Sequence, residues 1–461
     1  MKRPSLDAVR GFDRAVYVVA LGQLINVFGS GLVYPFATVH FHLEVGIALS
    51  VVGFGLGAKS VATAVGTGVG GFLADGVGRK PVMVASMALT AVALASFAFV
   101  PTVAAAVPPS VAALTGVSRI GVGFVVVCVV AGLVVGLYTP AASAMTADLT
   151  TDADRDRGYA LLKFTNNLGF GAGLAVGGVL YSVASVAVFL LDGATSAVVA
   201  VVLFLFVPRV HGAGGGSDPN GDAGAGSAVG SAGDTADGPV HESGRGSALS
   251  RWWAAATRSR VLVLAAINVA FAAMYAQMQT TVPVVAKEGL GLTSAQLGTL
   301  FVLNPLTIAL LQIPLVDAVS GWRRTRGLAV SAGLWGLSML FAWGADAGLA
   351  PVAVGVALVG GHLVVRTLGE ILHSPLASSL MSSLGTADER GTQLSVLEIA
   401  KRVGMGLGAF LGGVFFDYGH SGLWWGILVV VCLLVVVALL GLERSVSAAE
   451  NGADVDATVA D

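Results

Sequence analysis

Long apolar runs, separated by short polar or charged breaks, repeat along this chain from end to end. Twelve runs stand out, at residues 15–38, 46–73, 81–100, 121–146, 160–181, 185–207, 261–284, 296–316, 327–345, 351–374, 393–416 and 421–442. A helix needs about 20 mostly apolar residues to cross a hydrocarbon core, so each run predicts one spanning helix. An even number of crossings puts both ends of the chain on one side. The first run follows Lys2, Arg3, Arg10 and Arg14. It is too long for the apolar core of a signal peptide and no small-residue cleavage site follows it, so it reads as the first spanning helix.

Composition agrees. The chain has 461 residues, 55% hydrophobic and 11% charged, with a mean hydropathy of +0.84; soluble domains are about 25% charged. A soluble fold of this size could not hide so much apolar surface, so the solvent around most of it is lipid. The net charge of −2 matters less than its placement. With the N-terminus inside, the inner segments hold 21 of the 25 Lys and Arg, the outer ones hold Arg119 and Lys287, and Lys59 and Arg366 fall within spans. Cations collect on the cytoplasmic side of membrane proteins, which predicts cytoplasmic N- and C-termini for a multi-pass protein of the cell membrane. Cys128 and Cys432 lie in apolar runs and read as packing residues.

The two halves resemble each other at a shift of 235 residues. GFGAGLAVGG at 169–178 matches GMGLGAFLGG at 404–413, and Pro140 matches Pro375. A Gly-, Ser- and Asp-rich stretch separates the halves. The organisation read from this is an N-terminal half at 1–208, a flexible cytoplasmic linker at 209–250, a C-terminal half at 251–443 and a disordered cytoplasmic tail at 444–461. Transporters built from such repeats bind substrate near the midplane, between the halves.

Between the second and third runs stands GFLADGVGRK, Gly71–Lys80. It resembles motif A of the major facilitator superfamily, G-x-L-a-D-r-x-G-R-k, in letters and in location. The resemblance covers essentially the whole chain. It implies an all-α integral membrane fold of 12 transmembrane helices in two pseudo-symmetric six-helix halves, working by alternating access. It also implies a gating motif of Gly71, Asp75, Gly78, Arg79 and Lys80, in which Asp75 meets the end of helix 11 and Arg79 pairs with Asp148 at the end of helix 4. Such a charge cluster would hold the outward-open state. Fragments at Asn26–Phe36, Tyr275–Val285 and Leu368–Pro375 look like the drug:proton antiporter branch. Against that branch, the helix 4 arginine is missing at Cys128–Ala131, Leu174 replaces a proline in helix 5, and the second copy of motif A is eroded at Asp317–Arg324.

Ionisable residues inside a membrane are costly and mark functional candidates. His362, Arg366, Glu370 and His373 share one face within an arc of about 80° at 100° per residue. Arg366 and Glu370 stand at i,i+4 and can pair. In the superfamily, helices 1, 4, 7 and 10 line the central cavity, which makes Glu370 the first candidate proton carrier, with Arg366 beside it and Lys59 the other intramembrane cation. A partner for Lys59 could be Asp192. Polar stripes on the first and seventh runs (Gln23, Asn26, Ser30, Tyr34; Asn268, Tyr275, Gln279), with His362, suit a small amphipathic substrate. Lys163, Asn166 and Asn167, and their counterparts Glu398, Lys401 and Arg402, read as parts of an inner gate.

Two motifs mislead. Residues 53–60 nearly spell a phosphate-binding loop and residues 66–71 fit G-x-G-x-x-G, but both lie inside a spanning run, without the strand such loops need. His40, His42 and Glu44 read as interfacial residues and not as a metal site. The expectation is a proton-coupled secondary transporter exporting a small amphipathic molecule. The alternatives are a proton symporter taking up a sugar, peptide or other metabolite, and a non-transporting sensor or assembly protein. No enzymatic activity, cofactor, metal or nucleic-acid partner is expected. The partners are a small-molecule substrate, H⁺ and the lipid bilayer, and the chain is expected to be a monomer.

Overall fold

The computed structural model of the chain describes residues 12, 14–148, 155–207, 253–348, 351–386 and 389–452. The linker expected at 209–250 lies outside the described residues. Those residues form helices and no strand. The first half holds α1 (Arg14–Val33), α2 (Leu49–Val77), α3 (Arg79–Ala95), α4 (Arg119–Gly136, continued by Tyr138–Asp148), α5 (Arg155–Val183) and α6 (Ala187–Phe206). The second holds α7 (Ser259–Ala276), α8 (Ser294–Phe301, continued by Leu303–Ala318), α9 (Arg324–Asp346), α10 (Val352–Ser383), α11 (Arg390–Asp417) and α12 (Ser421–Glu443).

Eleven of the helical spans among the described residues are long and apolar enough to cross a membrane. The exception is α5. At 29 residues it is long enough, but the polar run around Lys163, Asn166 and Asn167 and its many glycines dilute its apolar character. Outward-facing Phe204, Leu205, Leu433, Leu434 and Val437 are more than half exposed, as a lipid-facing surface requires.

The duplication is visible in the packing. α1 lies on α5 as α7 lies on α11, α2 on α4 as α8 on α10, and α3 on α6 as α9 on α12; across the halves α2 meets α11 and α5 meets α8. Glycines explain the closeness. Gly169, Gly173 and Gly177 press on the backbone of Leu24, Phe28 and Leu32, while Gly404 and Gly408 press on Val269 and Ala273. A Cβ at these positions would overlap the facing carbonyls, so small residues are what let these helices approach. The misleading motifs have the same explanation: Gly53 and Gly57 abut Ala409 and Gly406 of α11, and Gly66 and Gly70 abut Leu133 and Leu137 of α4.

Two ends of the bundle are distinguishable. At one lies the Gly71–Lys80 turn, the turn end. At the far end, Gly413 of α11 meets Leu49 and Ser50 of α2, and Gly178 of α5 meets Ser294 and Gly298 of α8. The halves touch there. Asp417, the last residue of α11, accepts the backbone N–H groups of Leu49 and Ser50, both at 2.8 Å.

The tail departs from the expected disorder at 444–461. Its described part, through Gly452, folds back on the start of α9. Asn451 is 1% exposed. Its backbone oxygen accepts from Arg324 N at 2.9 Å, its Oδ1 accepts from Thr325 N at 2.9 Å, and its Nδ2 donates to Thr325 Oγ1 at 2.9 Å. Arg260 pairs with Glu450 at 3.0 Å, and Ser383 Oγ donates to the Glu450 carbonyl at 2.7 Å. These bonds satisfy free groups at a helix start, which a low-hydropathy tail does not advertise. Residues 453–461 lie outside the described residues.

Candidate functional site

Each half encloses a cavity. The first, about 430 Å³, is lined by Gln23, Asn26, Ser30 and Tyr34 of α1, Lys59 of α2, Asp192 of α6 and, from the other half, Gln279. It extends toward the turn end along Ala142, Ser143, Leu162 and Lys163. The second, about 480 Å³, is lined by Asn268 and Tyr275 of α7, Trp335 of α9, Glu370 and His373 of α10, and Glu398, Lys401 and Arg402 of α11. Tyr34 lines both. Helical spacing explains the first stripe, because positions three and four apart return to one face of α1.

The centre of charge is on α10. Arg366 is completely buried, and its Nη2 donates to Glu370 Oε2 at 2.8 Å. The guanidinium lies over the rings of Tyr275 at 4.7 Å and Trp335 at 5.3 Å, a cation–π arrangement. Its Nε and Nη1 have no hydrogen-bond partner. Glu370 remains 24% exposed at its side chain, at the cavity edge. Asn304 of α8 joins this pair. Its Nδ2 donates to Thr367 Oγ1 at 2.8 Å and, more weakly, to Glu370 Oε2 at 3.4 Å. Sequence reasoning passed over Asn304 and Trp335. Asn304 was discoverable as a polar residue inside the run 296–316; Trp335, an apolar residue in an apolar run, carried no signal.

Other placements differ in kind. His362 lines neither cavity: it is fully buried, and its Nδ1 is 2.8 Å from the Ser338 carbonyl of α9. The shared face on α10 set its direction, but the neighbouring helix claims it. Asn268 lines the second cavity, yet its amide donates to the Leu397 carbonyl at 2.9 Å, so its N–H is already committed to helix packing. Lys59 shares the first cavity with Asp192 and stands 5.6 Å over the Phe97 ring. Among the described residues no ion pair joins Lys59 to Asp192, whose Oδ1 is buried without a partner.

At the turn, Gly78 has φ +102°, which only glycine adopts readily. This is where α2 hands over to α3. Arg79 Nη1 donates to the Ala144 carbonyl of α4 at 2.9 Å. Lys80 Nζ donates to the Val207 carbonyl at 2.6 Å, at the end of α6 where a cation complements the helix dipole. The Asp148 side chain lies outside the described residues. Asp75 is exposed and makes no hydrogen bond or ion pair among the described residues. Among the described residues its implied contact with the α11 end is not made, and the halves meet at the far end.

The family model for the Major Facilitator Superfamily matches residues 19–365, most of the chain. The chain belongs to the Major Facilitator Superfamily. This superfamily member is 24% identical over 440 residues, covering 95% of itself and 98% of the relative, to an uncharacterized MFS-type transporter, YttB, of Bacillus subtilis. It is 29% identical over 162 residues to the multidrug resistance protein MdtH of Aeromonas hydrophila, spanning 35% of this chain and 36% of MdtH. In fold it is similar to the nucleoside transporter NupG, with a TM-score of 0.71 at 10% identity, covering 93% of this chain and 100% of NupG. The superfamily member is therefore a multi-pass membrane transporter, with a small-molecule substrate held within the membrane.

Proposed function

We propose that this transporter is proton-coupled and exports a small amphipathic molecule across the cell membrane by alternating access. The observation that carries the reading is the Arg366–Glu370 pair. It sets a carboxylate, 24% exposed, at the edge of a cavity between helices that both halves contribute to through Tyr34. A carboxylate in that position can gain a proton when its cation partner turns elsewhere, and release it when the pair re-forms. Gln23, Asn26, Ser30, Tyr34, Tyr275 and Gln279 offer hydrogen bonds beside aromatic surface, which suits an amphipathic body. Export is supported by the similarity to multidrug resistance proteins over about a third of the chain, 35% of it.

With the turn on the cytoplasmic side, as the cation asymmetry implies, the two cavities face the cytoplasm and the far-end contacts close the outside. Asp75 and Arg79 then form a latch for the opposite state, which leaves Asp75 unpartnered here. Lys59 and Asp192 are a second candidate pair for coupling. The transporter is proposed to act as a monomer with both termini in the cytoplasm.

Uptake by proton symport is the second reading. It is favoured by the unpartnered Nε and Nη1 of Arg366, which could hold a substrate while Glu370 holds the proton. Transport in proteoliposomes under an imposed pH gradient tests the coupling. Gradient-dependent movement by wild type, abolished in Glu370→Gln, is expected. Wild-type transport indifferent to the gradient rules proton coupling out.

A further inference from the structure

We infer that the second cavity takes an organic anion, a single carboxylate or comparable charge on an apolar body, and rejects organic cations. The inference rests on the transporter reading above and is independent of the direction of transport.

The unmet groups around the second cavity that can act in only one sense are donors. Arg366 is fully buried with Nε and Nη1 unpartnered, and the Trp335 Nε1–H is buried and unpartnered as well. Arg and Trp side chains can only donate. Buried donors without acceptors are costly, so the ligand that relieves this region brings acceptor oxygens. Tyr275 and Trp335, which cover the guanidinium, also form the cavity wall. An anion entering there meets the positive charge through a thin aromatic layer or displaces it.

A cation meets the reverse. Its natural partner would be Glu370, the only carboxylate that pairs with Arg366 among the described residues. Taking that carboxylate leaves a completely buried guanidinium unpaired, the costliest kind of broken ion pair.

The lining as a whole leans the same way. In the second cavity Arg402 is closed by Glu398 at 2.8 Å and Arg366 by Glu370. Lys401 has no carboxylate within ion-pair distance among the described residues and stands on the turn-end side of the cavity. The apolar body of the ligand finds Phe271.

The test uses purified full-length protein in nanodiscs and three matched probes: 2-naphthylacetate, its primary amide and 2-(2-naphthyl)ethylammonium. Thermal unfolding is followed with each. The carboxylate is expected to raise the midpoint, the amide to act weakly and the ammonium not at all. Arg366→Gln should lose the response. Glu370→Gln should bind the carboxylate roughly tenfold more tightly, because the guanidinium is freed of its internal partner; a wall that merely packs would show no such gain. If Arg366→Gln fails to fold, Glu370→Gln carries the test alone. Equal stabilisation by the ammonium probe overturns the inference, and so does stabilisation by none of a series running from benzoate to anthracene-9-carboxylate. Gradient-driven flux separates the two readings. A carboxylate bound but not moved defeats the transporter reading and leaves the anion site standing. A cation moved in preference to the carboxylate defeats the anion site and leaves the transporter standing.

Discussion

The carboxylate of Asp417, at the last residue of α11, accepts the backbone N–H of Leu49, at the first residue of α2, across the boundary between the halves at 2.8 Å. Its other oxygen accepts from Ser50 at 2.8 Å. No side chain within α2 caps this helix start, so the cap is borrowed from the opposite half and exists only while the far end is closed. Loss of a carboxylate cap costs about 1 kcal/mol. Asp417→Ala should therefore shift the closed-to-open ratio roughly fivefold toward far-end opening. Labelling of Ser294→Cys by a membrane-impermeant maleimide reads the shift, with buried Cys128 and Cys432 giving little background. An unchanged labelling rate would show that the cap does not bias the equilibrium.

The turn separates a residue important for movement from one important for this arrangement. Asp75 is exposed and has no partner among the described residues, whereas Arg79 holds the Ala144 carbonyl. Asp75→Asn should leave the unfolding free energy within about 0.5 kcal/mol of wild type while abolishing transport. Arg79→Ala should lower it by at least about 1 kcal/mol, the weight of the charged hydrogen bond to Ala144 alone. Unchanged transport by Asp75→Asn would sink the latch.

Glycines that look alike in the sequence should behave oppositely. A Cβ at Gly173 would strike the Phe28 carbonyl, while one at Gly68 meets nothing within 4 Å. Gly173→Ala is expected to destabilise by about 1–3 kcal/mol through forced displacement of α5 from α1. Gly68→Ala should gain up to about 1 kcal/mol of helix propensity. Thermal unfolding of the two variants side by side decides it.

The docked tail is pH-sensitive in a defined direction. Burial pushes the Glu450 carboxyl up, but the Ser447 N–H and hydroxyl and the Arg260 guanidinium outweigh it and hold the group below its ordinary 4.5. A folded-state value below the undocked one means that docking is fully stabilised above that ordinary value and weakens as pH falls through the lower docked value. A spin label at Ala448→Cys should stay immobile from neutral pH down through 4.5 and gain mobility only below it. Mobility already high at neutral pH would refute the docking.

Much of this architecture was legible because hydropathy reports burial in lipid directly. The run 421–442 became α12 at Ser421–Glu443 almost residue for residue. The matched glycine runs marked α5 and α11 as helices others approach closely, and the structure supplies the partners, α1 and α7. Where reading failed, the deciding partner was distant in sequence. His362 has the right angle on α10 for the cavity, but Ser338, on another helix, takes its ring nitrogen. Asn304 completes the Glu370 environment from 66 residues away. Asn451 docks through bonds to residues 126 positions earlier. A helical wheel gives direction along one helix and is silent about which neighbour stands there.

The far-end seam has an energetic consequence. Where Gly413 lies on Leu49 and Ser50, and Gly178 on Ser294 and Gly298, one side of each contact has no rotamers to freeze when the seam forms and none to release when it parts. The glycine side of each contact therefore adds no side-chain entropy to either state, which keeps the cost of parting and closing the seam small. A single capping carboxylate, or one occupant in a cavity, is then enough to tip which side of the membrane the protein faces.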